Sequence, residues 1–173
     1  MFLGQEYQIF DWFYIHFTEN NGMAFGLEFG GAWGKLALSV FRILFVGYLI
    51  SYLAKLLRKK TDPILITCFS LVLAGAIGNI LDGAFYGLLF SDSYHQLANF
   101  LPESGGYAPL LFGRVVDMFY FPIFKGYLPD WLPFYGGDYF VFFRPVFNVA
   151  DAAISIGVGL MIIFQKRVMA ALD

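Results

Sequence analysis

Residues 64–90 read ILITCFSLVLAGAIGNILDGAFYGLLF, an apolar run with a single charged residue, Asp82. A bilayer core of ~30 Å is crossed by about 20 helical residues, so this run is long enough to span a membrane. Pro63 comes directly before it, and proline suits the first turn of a helix because no needed hydrogen bond is lost there. We therefore predict a transmembrane helix over residues 64–90.

Two more stretches are apolar over a similar length, residues 33–57 and residues 145–164, and Pro145 suits a helix start as Pro63 does. The chain is 59% hydrophobic and only 14% charged, whereas ordinary globular chains are roughly a quarter charged. So much apolar surface needs lipid to cover it. We predict an all-α polytopic membrane protein, a single membrane-embedded domain over residues 1–173 whose three visible spans form a helical bundle. The net charge of −2 gives no indication of a nucleic-acid partner.

Basic residues indicate the orientation of these spans. Residues 55–60 hold four lysines and arginines, Lys166 and Arg167 follow the third span, and together they make six of the chain's eleven. An even number of crossings separates the two segments, so they share one side, which the positive-inside rule identifies as the cytoplasm. Residues 1–32 and 91–144 then face outward. Because residues 1–32 contain nothing to carry them across, we expect a further transmembrane helix before residue 1; the alternative is a three-span protein with a translocated tail.

The outward segments have the composition of folded structure. Residues 13–17 are aromatic and branched, which favours a strand, and Asn20-Asn21-Gly22 then predicts a turn. Residues 91–144 hold two Gly-Gly pairs and five prolines between short apolar runs, which predicts a compact cap of short strands with room for an interfacial helix. We expect the aromatic residues of 119–124 and Trp131 to anchor this cap among lipid headgroups.

Polar residues recur at one depth of two predicted spans. Asn79 and Asp82 are three apart and share a helix face, roughly 22–27 Å along the second span from its start. Asn148 and Asp151 repeat the Asn-x-x-Asp spacing near the outer end of the third span. Amides and acids inside spans are costly and therefore informative. Such pairs have two interpretations, functional groups or helix-to-helix hydrogen bonds made where small residues allow close approach, namely Gly75, Ala76 and Gly78.

A third acid, Asp117, lies in the apolar run VVDMFYF. Two carboxylates in a shielded site cannot both ionise easily, so one can act as a base that activates water and the other as an acid. The sequence offers no competing catalytic set: the two histidines lack metal-ligand spacing, Cys68 lies mid-span, and neither a G-x-S-x-G elbow nor a phosphate-binding loop occurs. Asp117 and Asp151 are therefore the candidate acid–base residues.

Four motifs, in order along the chain, resemble those of the bacterial lipoprotein signal peptidases, or signal peptidase II. They are NNGMAF at 20–25, GAIGNILD at 75–82, VVD at 115–117 and FNVAD at 147–151. The resemblance covers the chain from about residue 10 to residue 165. Each motif is weak alone, and the set in this order relative to the spans is specific.

The resemblance implies a four-helix membrane protein with a small extracytoplasmic β-cradle and a catalytic aspartate dyad. By motif, Asp117 and Asp151 match the dyad, and the positions that line or support the site are Asn20, Gly22, Asn79, Asp82 and Asn148. The implied reaction is removal of the signal peptide from a diacylglyceryl-modified prolipoprotein, just before its lipidated cysteine, at the outer face of the bacterial cytoplasmic membrane. The implied partners are these substrates and membrane lipids; no metal or organic cofactor is implied, and we expect a monomer.

Three departures from the family pattern stand out. The family's first span is absent, the arginine that usually follows the second-span aspartate is Gly83, and residues 91–112 and 124–143 are long enough for an enlarged lid or cradle. With Gly83 in place, Arg114 or Arg144 is the expected partner of Asp82. The alternative functions are a small transporter or channel subunit, whose polar path Asn79, Asp82 and Asn148 would form, and a non-catalytic lipid-binding membrane protein.

Overall fold

The computed structural model of the protein describes residues 1–22 and 30–172. Four helices lie in these ranges: α1 Gly31–Arg58, α2 Pro63–Leu89, α3 Val149–Ile163 and α4 Gln165–Leu172. The strands are β1 Glu6–Phe10, β2 Phe13–Asn20, β3 Val115–Tyr120, β4 Phe124–Tyr127, β5 Tyr139–Phe142 and β6 Val146–Phe147.

Two of the described helices, α1 and α2, are long and apolar enough to cross a membrane. The second begins as predicted, with Pro63 in its first turn and Asp62 Oδ1 accepting a hydrogen bond of 2.8 Å from Ile64 N–H. The predicted third crossing is different, because α3 and α4 meet at an 85° bend and reach the length of a span only when they are taken together. Two of the three predicted spans are therefore confirmed by length and composition.

The start of α3 corrects the sequence prediction. We expected a helix from Pro145, but residues 146–147 pair with β3 as strand β6, and the helix begins at Val149. Asn148 caps it: Asn148 Oδ1 accepts from Asp151 N–H at 2.9 Å, and Asp151 Oδ2 accepts from Asn148 N–H at 3.3 Å. This reciprocal capping box fixes the helix start, since it satisfies N–H groups that lack a partner within the helix.

Close contact between α2 and α3 depends on glycine. A Cβ atom at Gly75 would lie 2.7 Å from Ile154 Cγ1, and one at Gly157 would lie 2.9 Å from Cys68 O. The predicted close approach at Gly75 is thus present, and it lets polar side chains near the end of α2 reach the start of α3.

The strands form a four-stranded antiparallel sheet in the order β1-β2-β3-β6 and a separate β4–β5 hairpin. Strand β2 confirms the strand predicted at residues 13–17, and residues 91–144, all of them described, contain strands and turns but no helix. The loop before β3 lies along the C-terminal end of α2, where Gly113 N–H donates to Gly83 O at 2.8 Å and Ala108 N–H to Gly87 O at 2.9 Å. The sheet is thereby held against the helices.

At the opposite end of α2 the two basic segments come together. Arg167 on α4 donates two hydrogen bonds to Asp62 Oδ2, of 2.7 Å from Nη2 and 3.1 Å from Nε. The segment at 55–60 and the pair at 166–167 therefore lie at the same end of the helices, as the sequence predicts.

Candidate active site

Two carboxyl groups meet where the sheet joins the helices. Asp117 comes from the middle of β3 and Asp151 from the first turn of α3, and their side chains lie within hydrogen-bonding range of each other. Asp117 is only 6% exposed. Its burial and then the charge of Asp151 raise the pKa of Asp117 to about 6, against the hydrogen bonds from Asn20 and Asn148, which favour the ionised form.

Asn148 connects the two carboxyls. Its Nδ2 donates to Asp117 Oδ1 at 2.8 Å, to Asn79 Oδ1 at 3.1 Å and to Val116 O at 3.3 Å. Its Oδ1 accepts from the Asp151 backbone N–H, so one side chain contacts the segment that carries each aspartate. Asn148 is itself buried, at 7% exposed. A displacement of this residue would move both acids.

Each aspartate has a further amide partner. Asn79 Nδ2 on α2 donates to Asp151 Oδ1 at 2.8 Å, while its Oδ1 accepts from Asn148, so the amide can adopt only one orientation. Asn20 Nδ2, at the end of β2, donates to Asp117 Oδ2. Asn20 Oδ1 accepts from Gly22 N–H at 2.6 Å, and Gly22 has a φ of 83°, which favours glycine. These six predicted residues thus form one network.

Asp82 lies apart from that network. Its carboxyl accepts hydrogen bonds from the backbone N–H of Val116 and from the hydroxyl of Tyr86. Its interaction with Asp151 is electrostatic only. The prediction that Arg114 is the partner of Asp82 is wrong, because Arg114 pairs with Glu19 at 2.8 Å. Asp82 instead borders a crevice of about 340 Å³ between α2 and α3 whose other lining residues include Gly75, Gly78, Tyr86, Met118, Ala150 and Ala153.

Two charged residues that belong to none of the predicted site positions hold the segment after β2. Lys35 Nζ on α1 donates to Asn21 Oδ1 at 2.6 Å and to Phe112 O at 2.8 Å, and Arg42 Nη2 donates to Gly22 O. Both lie within the span predicted over residues 33–57, and none of the four motifs contains them. The signal was present, because a cation within a span is costly and therefore indicates a role. Residues 23–25 of the first motif lie outside the described residues.

A partly buried ion pair holds the other side of β2. Glu19 is next to Asn20, and its carboxylate accepts from Ser93 Oγ at 2.7 Å and from Arg114 Nη1 at 2.8 Å. The pKa of Arg114 is raised, chiefly by its hydrogen bond to Glu19. No sequence motif pointed to this pair, because its members are 95 residues apart.

Fold and site together define a polytopic helical membrane protein with a buried pair of carboxyls at the junction of its sheet and helices. The family model described as signal peptidase (SPase) II matches residues 1–166. The chain therefore belongs to the signal peptidase II family, as its motifs indicated. It is a peptidase, and the transporter and lipid-binding alternatives are not favoured.

Individual relatives support the same family assignment. A lipoprotein signal peptidase of Porphyromonas gingivalis is 52% identical over 173 residues, which cover 99% of this chain and 75% of that protein. One of Amoebophilus asiaticus is 40% identical, over 95% of this chain and 66% of that protein. Two solved structures described as bacterial membrane enzymes share the fold. The first has a TM-score of 0.56 at 22% identity, over 96% of this chain and 74% of that chain. The second has a TM-score of 0.54 at 25% identity, over 94% of this chain and 76% of that chain.

Proposed function

We propose that the chain is an aspartic endopeptidase that removes signal peptides from diacylglyceryl-modified prolipoproteins, cleaving before the lipidated cysteine, with Asp117 and Asp151 as its catalytic dyad. The observation that carries this proposal is the direct approach of the two carboxyls, one on β3 and one on α3, inside a network of amide hydrogen bonds. Membership of the signal peptidase II family supports the reaction.

The dyad holds one proton between its two carboxyls. Two carboxylates at this separation repel each other, so the pair binds a proton that an isolated aspartate would lose, in keeping with the raised pKa of Asp117. The proton belongs to the pair and not to either residue. Asn79 keeps Asp151 in place and Asn148 keeps Asp117 in place, so both carboxyls are oriented before substrate arrives.

Hydrolysis then follows from acid–base chemistry. The ionised carboxylate takes a proton from a water molecule held between the two acids, and the water oxygen bonds to the scissile carbonyl carbon. The protonated carboxyl gives its proton to the amide nitrogen as the carbon–nitrogen bond breaks. The signal peptide leaves with a new carboxyl group and the lipidated cysteine keeps a free amine. One proton remains on the dyad, which has exchanged roles.

The remaining motif residues act by positioning. Asn20, Gly22, Asn79 and Asn148 orient the two acids through the contacts described above. Asp82 acts on the backbone of β3, because it accepts from the N–H of Val116, the residue before Asp117. Replacing any of them should disturb the carboxyl geometry without removing the chemistry itself.

We place the enzyme in the bacterial cytoplasmic membrane as a monomer, with α1, α2 and the bent α3–α4 pair as its spans and the dyad at the extracytoplasmic face. The basic segments at the other end of the helices support this orientation. The substrate's acyl chains would lie in lipid between helices while its peptide extends across the dyad. The aromatic cap supports contact with headgroups, since Trp131 is 79% exposed and Phe134 98% exposed.

The test is cleavage of a diacylglyceryl-modified prolipoprotein by purified Asp117→Asn and Asp151→Asn variants. Each should lose at least about 10³-fold in rate, because asparagine can neither take nor give the proton. Asp138→Asn, the same change at an exposed acid of the cap, is the matched control and should cleave normally. Near-normal cleavage by either variant would refute the assignment of Asp117 and Asp151 as the catalytic dyad.

A further inference from the structure

Arg42 carries a positive charge about three turns into α1, a helix of span length whose neighbouring residues are apolar. Its side chain is half-buried, and the guanidinium donates to Gly22 O beside the site. A cation at this depth is costly, and such residues are retained for pairing or for function. Arg42 belongs to none of the four motifs, so the function proposed above has not used it.

One side of this guanidinium is connected to Asp117. Arg42 Nη2 donates to Gly22 O, Gly22 N–H donates to Asn20 Oδ1 at 2.6 Å, and Asn20 Nδ2 donates to Asp117 Oδ2. The guanidinium also packs against the Cα of Gly22 so closely that a Cβ there would lie 3.3 Å from Arg42 Cζ. Arg42 therefore fixes the turn that orients Asn20.

The charge of the same guanidinium acts on Asp151. The two groups interact electrostatically across the site, although no hydrogen bond joins them. A dyad that shares one proton carries one net negative charge. In a site shielded from water, a nearby cation stabilises such a charge far more than it would in bulk solvent.

We propose that Arg42 is a positioning residue of the dyad, which fixes Asp117 through Gly22 and Asn20 and balances the single negative charge shared with Asp151. This inference rests on the proposed function, because it assigns Arg42 a role in the same reaction. The site's cation thus comes from α1 and not from the residue after Asp82, which is Gly83.

The experiment compares kcat and KM of Arg42→Met and Arg42→Lys on a diacylglyceryl-modified prolipoprotein. Arg42→Met, which removes both charge and donors, should lower kcat by about 10²-fold and change KM by less than about threefold. Arg42→Lys keeps the charge and one donor nitrogen, so its kcat should be at least about tenfold higher than that of Arg42→Met. Arg58→Gln, at the end of the same helix, is the control and should cleave at the wild-type rate.

The following results would overturn the role of Arg42 or the proposed function. A kcat for Arg42→Met within threefold of wild type, or a loss confined to KM, overturns the inference. If Arg42→Met does not fold, as judged by its melting in detergent, a folded Arg42→Lys below about 1% of the wild-type kcat overturns it as well. Asp151→Asn is assayed alongside. Activity in that variant would refute the proposed function, whereas an inactive Asp151→Asn beside a fully active Arg42→Met would refute only the role of Arg42.

Discussion

Asn148→Ala is the substitution that probes the largest part of the site with one change. It removes the helix cap of α3 and also the bridge between Asp117 and the α2 amide, Asn79. Loss of an N-cap side chain costs about 1 kcal/mol. Leaving the buried Asp117 oxygen and the partly buried Asn79 oxygen without this donor adds about 1–3 kcal/mol. We expect a loss of about 2–4 kcal/mol in the free energy of unfolding, and a fall of about 10²-fold or more in cleavage rate because both acids move.

Asn148→Ser separates the two roles of this residue. Serine caps a helix nearly as well as asparagine, so it should recover about 1 kcal/mol of the lost stability. Its short hydroxyl side chain replaces the amide that bridges to Asp117 and Asn79, so the cleavage rate should stay low. The measurement is equilibrium unfolding in detergent together with the initial rate of prolipoprotein cleavage, with Asn99→Ala, at an exposed asparagine of the cap, as control.

Two results would refute this reasoning. The first is an Asn148→Ala variant within about 0.5 kcal/mol of wild type, which is the ordinary range for surface substitutions. The second is an Asn148→Ser variant that regains full activity, because the bridge would then be irrelevant to the dyad.

Three further predictions concern protonation, helix packing and the cap. Because the pKa of Asp117 is raised to about 6, cleavage should decline above about pH 6. The folded state should lose stability as the pH rises from about 4 to about 6, because over that range the unfolded chain has released a proton that the folded state still holds. Titrations of cleavage rate and of melting temperature against pH check this, and Asp151→Asn should move the stability change to lower pH. Gly75→Val should destabilise the α2–α3 contact by about 1–3 kcal/mol in detergent unfolding, whereas Gly159→Val, where a Cβ would meet nothing within 4 Å, should have a much smaller effect. In a variant that retains Trp131 as its only tryptophan, the fluorescence of Trp131 in vesicles should be quenched by lipids brominated near the headgroup. Unquenched fluorescence with the emission maximum of a water-exposed tryptophan would contradict the anchoring of the cap.

Local sequence patterns predicted the parts of the fold that local forces determine. The 27-residue helix α2 is mostly apolar and begins with a proline, so both its existence and its start could be predicted. The Asn-x-x-Asp spacing placed Asn79 and Asp82 on one helix face, because residues three apart are neighbours on a helix. The positions of the two Asn-x-x-Asp pairs along their predicted spans then put them near the same depth. The candidate acids stood out because carboxyls in apolar surroundings are costly.

Tertiary contacts decided what the sequence missed. Pro145 suits a helix start, but pairing of Val146 with Tyr120 keeps the chain extended until Asn148 caps α3. The partners of Asp82 depend on where the backbone of β3 lies, and no pattern within α2 contains that information. Arg42 likewise acquires its role only when the turn at Gly22 folds back against α1.

The central claim is that water, activated between Asp117 and Asp151, hydrolyses the prolipoprotein. A single turnover in H₂¹⁸O, followed by mass spectrometry of both products and of enzyme peptides that contain the two aspartates, tests it most directly. We expect one ¹⁸O atom in the new carboxyl terminus of the signal peptide and none in Asp117 or Asp151. Label in either aspartate would show that a carboxylate had attacked the substrate itself, and the absence of cleavage would contradict the activity altogether.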